Sequence, residues 1–221
     1  MTYNWDFSII FAYKKAIASG ILITLGLTFS SIIFGSIVGL VLCLLKLSKN
    51  KYTKYPAMII IEAFRDLPIL VLLIWLFYTI TPLTGLNISP FFIAVIALSI
   101  NLGAFSAEIF RAGFNSIHKS QIEAAKSLGL KKIQILRYIT LPQALKVILP
   151  PLTGQYIETI KLTSVASIIS VAELLHKSQD IISVSYRPLE VYTAVAIIYL
   201  AIIIPLSLYL QKTEKKQNVR D

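Results

Sequence analysis

Long apolar runs, separated by shorter basic segments, dominate the chain. Because an α-helix rises about 1.5 Å per residue, about 20 apolar residues are enough to cross a hydrocarbon core of about 30 Å. Four runs reach this length with few charges, and the pattern predicts membrane-spanning helices at residues 17–45, 57–80, 90–110 and 189–210. A fifth run, residues 147–172, is long enough but contains Gln155, Glu158 and Lys161, so its hydrophobicity alone does not decide whether it crosses.

The distribution of Lys and Arg along the chain indicates whether the fifth run crosses the membrane. If residues 147–172 cross the membrane, fifteen of the 21 basic residues fall on one side of it, in segments 46–54, 111–146 and 212–220. Short loops that are rich in Lys and Arg face the cytoplasm. We therefore predict five spans, with the N-terminus outside the cell and the C-terminus in the cytoplasm.

The composition agrees with a membrane protein and excludes several other classes. Of the 221 residues, 56% are hydrophobic and 14% are charged, whereas soluble domains contain about 25% charged residues. The basic loops account for the formal charge of +10, so the charge requires no nucleic acid partner. One cysteine and two histidines exclude a disulfide framework and a Cys- or His-rich metal site, and we predict that Cys43 is a packing residue.

Small residues recur every four positions in two of the predicted spans. Such ridges let helix backbones approach closely in a lipid environment. They predict either packing within one helical bundle or a contact with a second subunit. The residues are Ser31, Gly35 and Gly39 in the first span, and Ser99, Gly103 and Ala107 in the third.

The cytoplasmic segment 112–146 is longer than a connection between two spans requires, and its pattern is helical. Ser120, with Glu123 three residues later, predicts a helix that begins with a capping box. Gly129 predicts a left-handed residue that ends this helix. The first part of the segment is therefore expected to be a short, defined helix.

A second, amphipathic helix is predicted after Gly129, with its basic residues toward lipid headgroups or solvent. We expect Pro142 to break this helix and Pro150–Pro151 to begin the fourth span. The two helices form a compact elbow on the cytoplasmic face. Its edge at residues 123–125 is small and acidic, which suits insertion into a groove on another protein.

Seven residues of this elbow stand at a fixed spacing: Glu123, Ala124, Ala125, Gly129, Ile139, Leu141 and Pro142. They match every fixed position of the loop that marks permease subunits of binding-protein-dependent ABC importers, and the chain resembles that family. Further segments are similar to its polar amino acid branch, which includes the histidine and glutamine permeases: residues 20–25, 65–68, 103–113 and 161–164. The resemblance covers roughly residues 15–210.

The resemblance implies an all-α membrane protein with the type I ABC importer permease fold, in which five spans carry a cytoplasmic coupling-helix elbow between the third and the fourth. Two permease subunits, the same or related chains, would form the pathway for a polar amino acid across a bacterial inner membrane. Each would dock its Glu-Ala-Ala helix into an ABC ATPase subunit. A solute-binding protein outside the membrane would deliver the solute.

The energy for transport is expected to come from outside this chain. The sequence contains no Gly-x-x-x-x-Gly-Lys-Ser/Thr phosphate-binding loop, so we predict that the chain is not an enzyme and binds no cofactor. By the resemblance, ATP and Mg are used by the partner ATPase. No metalloprotease, hydrolase or dithiol motif indicates a membrane-embedded enzyme. An ion-gradient-driven amino acid carrier is the alternative function, although no inverted repeat supports it.

Ionisable residues within the predicted spans are candidates for the solute pathway, because each costs about 2.5–3.5 kcal/mol at mid-bilayer unless it is paired or hydrated. Glu158 and Lys161 lie near the middle of the fourth span. They either pair with each other or contact the ammonium and carboxylate groups of an amino acid. Ser164 offers a hydroxyl for the solute or for a helix–helix hydrogen bond, and Asn101 in the third span is a further polar candidate.

Glu62, Arg65 and Asp66 share one face of the second span near its cytoplasmic end. They predict either a gate with an ion-pair network around the following proline or, for Arg65, a side chain that reaches the lipid interface. Residues 65–68 read Arg-Asp-Leu-Pro where the family usually has Arg-Gly-Thr-Pro, and Leu162 stands where Asp or Asn is usual. These departures bear on which amino acid is carried.

Overall fold

The structure, a computed structural model, describes residues 3–218, with side chains at all of them except residues 81 and 209–218. The described residues are helical almost throughout, which confirms the prediction of an all-α fold. Arg220, which belongs to the basic tail, lies outside the described residues. The α-helices are α1 (Ser8–Ala12), α2 (Lys14–Lys46), α3 (Lys51–Asp66), α4 (Ile69–Thr84), α5 (Pro90–Asn115), α6 (Lys119–Ser127), α7 (Lys132–Ile135), α8 (Leu141–Leu162), α9 (Leu174–Ser185) and α10 (Pro188–Asn218).

The helices α2 and α5 pack side by side in the same direction through their small residues. An added Cβ at Gly35 of α2 would lie 2.8 Å from the side chain of Leu102 in α5. One turn further on, an added Cβ at Gly39 would lie 2.7 Å from the Cβ of Ser106 and 2.9 Å from the carbonyl oxygen of Gly103. Only glycine leaves room for this approach. The predicted ridges therefore serve packing within one bundle.

The second predicted span, residues 57–80, is divided between two helices, so the expectation of one continuous helix was wrong. α3 ends at Asp66, Leu67 is extended with φ −74° and ψ 123°, and α4 begins at Ile69. Pro68 explains the break, because the ring of a proline clashes with a helical backbone at the residue before it.

The second elbow helix is not broken at Pro142, contrary to the prediction. A π-helical turn, Leu136–Thr140, precedes the proline, and there the N–H of Leu141 donates to the carbonyl oxygen of Leu136. The wider turn accommodates a proline, which has no N–H to donate to the carbonyl one α-helical turn back. α8 then continues through Pro150 and Pro151 without interruption.

Three of the described helices are long and apolar enough to cross a membrane: Lys14–Lys46, Pro90–Asn115 and Pro188–Leu208. α4 is apolar but has 16 residues. The fourth predicted span, residues 147–172, is divided between the end of α8 and a 3-10 helix, Thr163–Ile169. The number of five spans therefore stays a prediction.

The short helix α9, between the fourth and fifth predicted spans, was not expected from the sequence. It begins after Glu173, whose buried carboxylate accepts hydrogen bonds from the N–H groups of Leu175 at 2.9 Å and His176 at 2.8 Å. The hydroxyl of Tyr199 in α10 donates to the same carboxylate at 3.2 Å. Glu173 therefore caps α9 and joins it to α10.

Candidate functional site

The first elbow helix, α6, is defined by its two ends, and we call it the coupling helix. It begins two residues earlier than expected, with His118 rather than Ser120 at the N-cap position, so the prediction of a capping box at Ser120 was wrong. Its other end is as predicted. Gly129 has φ +81°, and the N–H of Leu130 donates to the carbonyl oxygen of Ala125 at 3.1 Å. This is the usual left-handed glycine ending of a helix.

The Glu-Ala-Ala residues of the coupling helix divide between the surface and the elbow. Glu123 and Ala124 are exposed, whereas Ala125 is buried. The side-chain nitrogen of Gln143 in α8 donates to the side-chain oxygen of Gln121 at 2.8 Å. The coupling helix therefore presents a small, acidic edge while being fastened to the start of α8.

The start of α8 packs tightly against the end of α5. Ala144 and Ile148 of α8 are buried in a cluster with Phe110 and Phe114 of α5. Gly113 of α5 leaves no room for a Cβ beside Ile148. The elbow is therefore joined to the bundle through two helices that interlock.

The other residues of the predicted motif, Ile139, Leu141 and Pro142, lie at the π-helical turn where the elbow meets α8. Ile139 is partly buried, and the other two are exposed. The seven motif residues thus occupy both the tip and the base of the elbow. Their role in coupling to an ATPase stays a prediction.

A cleft of about 340 Å³ lies between the break in the second predicted span, α5 and α8. Residues 65–69, at the break where the chain is extended, line this cleft. Asn101 of α5 is buried and also lines the cleft. Polar residues from three helices therefore converge: Arg65, Asp66, Asn101, Gln155 and Glu158.

Glu158 and Lys161 form an ion pair, as their spacing predicts. Both side chains remain roughly half exposed. Lys161 also lines a neighbouring, more apolar cleft with Ser164 and Tyr199. The hydroxyl of Ser164 donates to the carbonyl oxygen of Lys161, three residues earlier, at 2.8 Å, so it is used in a local hydrogen bond. The two clefts meet at the Glu158–Lys161 pair.

Arg65 stacks on an aromatic ring of α5. Its guanidinium carbon lies 5.5 Å from the centroid of the Phe105 ring, which is a cation–π contact. Glu62 is exposed and does not line the cleft. Within the described part of the chain, no ion pair joins Glu62, Arg65 and Asp66 to one another, so the structure does not show the predicted network among them.

The spacing of Glu108 and Arg111 at the end of α5 predicts an ion pair, and the structure contains it. Lys46 of α2 joins the same carboxylate. This contact of Lys46 could not be predicted beyond its place in a basic segment, because its partner is on another helix. No group of three His, Cys, Asp or Glu side chains among residues 3–218 is arranged to hold a metal ion.

Comparisons with known proteins agree with this architecture. Residues 31–217 match the family of binding-protein-dependent transport system inner membrane components. The glutamine transport system permease protein GlnP of Escherichia coli strain K12 is 35% identical over 217 residues, which cover 98% of this chain and 99% of that protein. The L-cystine transport system permease protein TcyB of Bacillus subtilis strain 168 is 37% identical over 206 residues, covering 93% and 88%.

A crystal structure of an amino acid ABC transporter with histidines is similar to this fold, with a TM-score of 0.88 and 37% identity over 97% of this chain and 100% of that chain. An inward-facing structure of the MetNI methionine ABC transporter shares the fold, with a TM-score of 0.77, 20% identity and coverage of 93% and 98%. The type I ABC importer permease fold is therefore confirmed. The chain belongs to the family of binding-protein-dependent transport system inner membrane components, the permease subunits of ABC importers.

Proposed function

We propose that the chain is the permease subunit of an ATP-driven importer for polar amino acids in a bacterial inner membrane. It forms the translocation pathway with a second permease subunit and docks its coupling helix into a cytoplasmic ABC ATPase, which uses ATP and Mg. A solute-binding protein outside the membrane delivers the solute. The observation that carries this proposal is the exposed edge of Glu123 and Ala124, on a helix that ends at a left-handed Gly129 and is fastened to α8.

Continuity of α8 supports mechanical coupling. The same uninterrupted helix contains Ala144, which packs on α5 beside the elbow, and Glu158, which lines the polar cleft. Fourteen residues of helix separate them, or about 21 Å along the axis. Since close-packed helices shift between discrete arrangements rather than deforming continuously, a displacement of the elbow moves the wall of the cleft.

Contacts between helices support a path of five crossings. α2 and α5 run in the same direction, and α8 starts beside Gly113 at the end of α5. The segment after α8 reaches the start of α2, where the N–H of Leu174 donates to the hydroxyl of Thr24 at 3.2 Å. α10 begins beside the N-terminal segment, because Glu190 accepts from the N–H of Asp6. The basic loops then lie together, and the positive-inside rule puts them and the C-terminus in the cytoplasm.

The exposure of the Glu158–Lys161 pair supports a second permease subunit. Charged groups that face hydrocarbon are costly, so this pair requires protein or water over it. A second subunit of the same or related sequence covers the open side of the cleft. The pathway then runs between the two subunits.

The chemistry of the cleft supports an amino acid as the solute. Glu158 in the cleft and Lys161 beside it supply one carboxylate and one ammonium group, which complement the ammonium and carboxylate of a zwitterion. Asn101 and Gln155 add amides that donate and accept hydrogen bonds. The names of the relatives, which refer to glutamine and L-cystine transport, support the same solute class.

Reconstitution of the chain with its candidate ATPase and binding protein in liposomes tests this function. Labelled amino acids are supplied outside, and ATP is enclosed with the ATPase. We expect ATP-dependent uptake of at least one polar amino acid, and competition by the same unlabelled compound. Uptake that is equal with and without ATP would refute the proposal.

A further inference from the structure

Three aromatic side chains are exposed in the segment before α2. Trp5, Phe7 and Phe11 are 52%, 43% and 76% exposed. The rings of Trp5 and Phe7 are parallel to within 4°, with centroids 5.6 Å apart, and the ring of Tyr3 meets Trp5 edge-on at 5.3 Å. We call residues 3–12 the aromatic strap.

A buried carboxylate fastens the aromatic strap to the start of α10. Glu190 is fully buried, and it accepts hydrogen bonds from the hydroxyl of Tyr3 at 2.6 Å and the N–H of Asp6 at 3.0 Å. Arg187 pairs with the same carboxylate at 2.8 Å. Arg187 also donates to the carbonyl oxygen of Asn4 at 3.0 Å. The strap therefore has a fixed position, and its exposed rings are not a consequence of a free chain end.

The strap adjoins the first membrane-crossing helix. α1 ends at Ala12 and α2, which is long and apolar enough to cross a membrane, begins at Lys14. Lys14 and Lys15 are exposed at that boundary, and lysine side chains near the end of a membrane-spanning helix reach toward the headgroup layer. Tryptophan combines a large apolar ring with an N–H donor, and it is enriched at the depth of the headgroups.

We propose that the aromatic strap is an anchor in the membrane interface, with the lipid surface as its partner. Trp5, Phe7 and Phe11 insert among the headgroups, and Glu190 fixes their depth relative to the starts of α2 and α10. Lipid is favoured over a protein partner because the strap continues directly into a lipid-embedded helix and the adjoining charges suit headgroups. The anchor keeps these two helix ends at one level in the bilayer.

Depth-dependent fluorescence quenching tests the anchor. The chain has two tryptophans, so a Trp75→Phe variant leaves Trp5 as the only indole. The variant is reconstituted in vesicles of phosphatidylcholine and phosphatidylglycerol with bromine at a shallow or a deep acyl position. We expect a blue-shifted Trp5 emission and a greater loss of emission with shallow than with deep bromine. Emission like that of indole in water, with no loss to either lipid, would overturn the proposal.

The attachment of the aromatic strap to Glu190 is tested by adding Glu190→Ala to the Trp75→Phe variant. Compared with the Trp75→Phe variant, we expect the Trp5 emission to be quenched less by shallow bromine and more by aqueous acrylamide. Asp180→Ala, which removes an exposed carboxylate elsewhere, should leave both unchanged. Should Glu190→Ala fail to fold, Tyr3→Phe removes one of its hydrogen bonds and is expected to shift quenching in the same direction. If the folded variants are quenched like the Trp75→Phe variant, Glu190 does not fix the position of the strap. No solute or ATPase is needed, so either result leaves the proposed transport function to its own test.

Discussion

The Nζ atom of Lys46, at the end of α2, lies 2.7 Å from Oε1 of Glu108 in α5. The second carboxylate oxygen of Glu108 accepts two hydrogen bonds from Arg111, at 2.9 and 2.8 Å. The side chains of Lys46 and Glu108 are mostly buried. One carboxylate thus bridges two cations and holds α2 against α5 at the end of the bundle from which the elbow emerges.

Replacement of Glu108 by alanine is expected to destabilise the protein. It leaves Lys46 and Arg111 without their shared carboxylate, and a hydrogen bond to a charged group contributes about 1.5–3 kcal/mol. Thermal unfolding in detergent measures the effect as a lower midpoint. Asp180→Ala is the matched control, because Asp180 is exposed and exposed ion pairs contribute about 1 kcal/mol or less. Equal midpoints for the two variants would contradict this role of Glu108.

Substitution of Gly39 by alanine is expected to force α2 and α5 apart. The new Cβ would meet Ser106 at 2.7 Å and the backbone of Gly103 at 2.9 Å, and overpacking of this kind costs about 1–3 kcal/mol. Gly154→Ala in α8 is the control, because nothing lies within 4 Å of an added Cβ there. We expect a lower unfolding midpoint for the first variant and an unchanged or higher one for the second. A higher unfolding midpoint for Gly39→Ala than for Gly154→Ala would show that α2 and α5 are not tightly packed at Gly39.

A charge at the end of the coupling helix is expected to abolish association with the ATPase. Gly129 has a positive φ, which costs a residue with a Cβ about 1–2 kcal/mol, so Gly129→Glu both strains the turn and adds charge. Gly129→Asn, which tolerates this conformation, should retain association. A charge at the exposed Ala124 should act like Gly129→Glu. Co-purification of the ATPase from membranes with equal permease content measures this, and normal recovery with Gly129→Glu would exclude docking at this helix.

Glu158→Gln is expected to change which amino acids are taken up without loss of assembly. The change removes one charge from the cleft and leaves Lys161 unpaired. A charged hydrogen bond of about 1.5–3 kcal/mol corresponds to a shift of about tenfold or more in the relative uptake of two solutes. Competition by a panel of amino acids measures the shift. Glu62→Gln, which lies outside the cleft, is the control. If Glu158→Gln leaves the selectivity unchanged, the Glu158–Lys161 pair stabilises the bundle and does not contact the solute.

The long apolar runs and the elbow could be predicted because both depend on local patterns. Hydrophobic length located α2, α5 and α10, and Gly129 marked the end of α6 through its backbone freedom alone. The errors also have local causes. The average hydrophobicity of residues 57–80 does not show that the residue before Pro68 is extended, although the proline itself is a signal of such a break. The continuation through Pro142 depends on a π-helical turn, which no simple periodicity indicates.

The contacts of the buried carboxylates could not be predicted, because they join residues distant in sequence. Glu190 meets Tyr3 and Asp6 from the other end of the chain, and Lys46 meets Glu108 across two helices. The polar cleft could not be predicted for the same reason, because the residues that line it are distant in sequence. Glu158 and Asn101 were candidates individually, but their convergence on the break in the second span follows from tertiary packing.

Accumulation of a labelled amino acid by liposomes, with and without the ATPase, tests most directly whether this chain is driven through its coupling helix. With the ATPase, binding protein and enclosed ATP, we expect accumulation that Gly129→Glu abolishes and Gly129→Asn retains. The chain alone should accumulate nothing under a proton or sodium gradient. Concentration of solute by the chain alone on such a gradient would contradict the account and establish an ion-driven carrier.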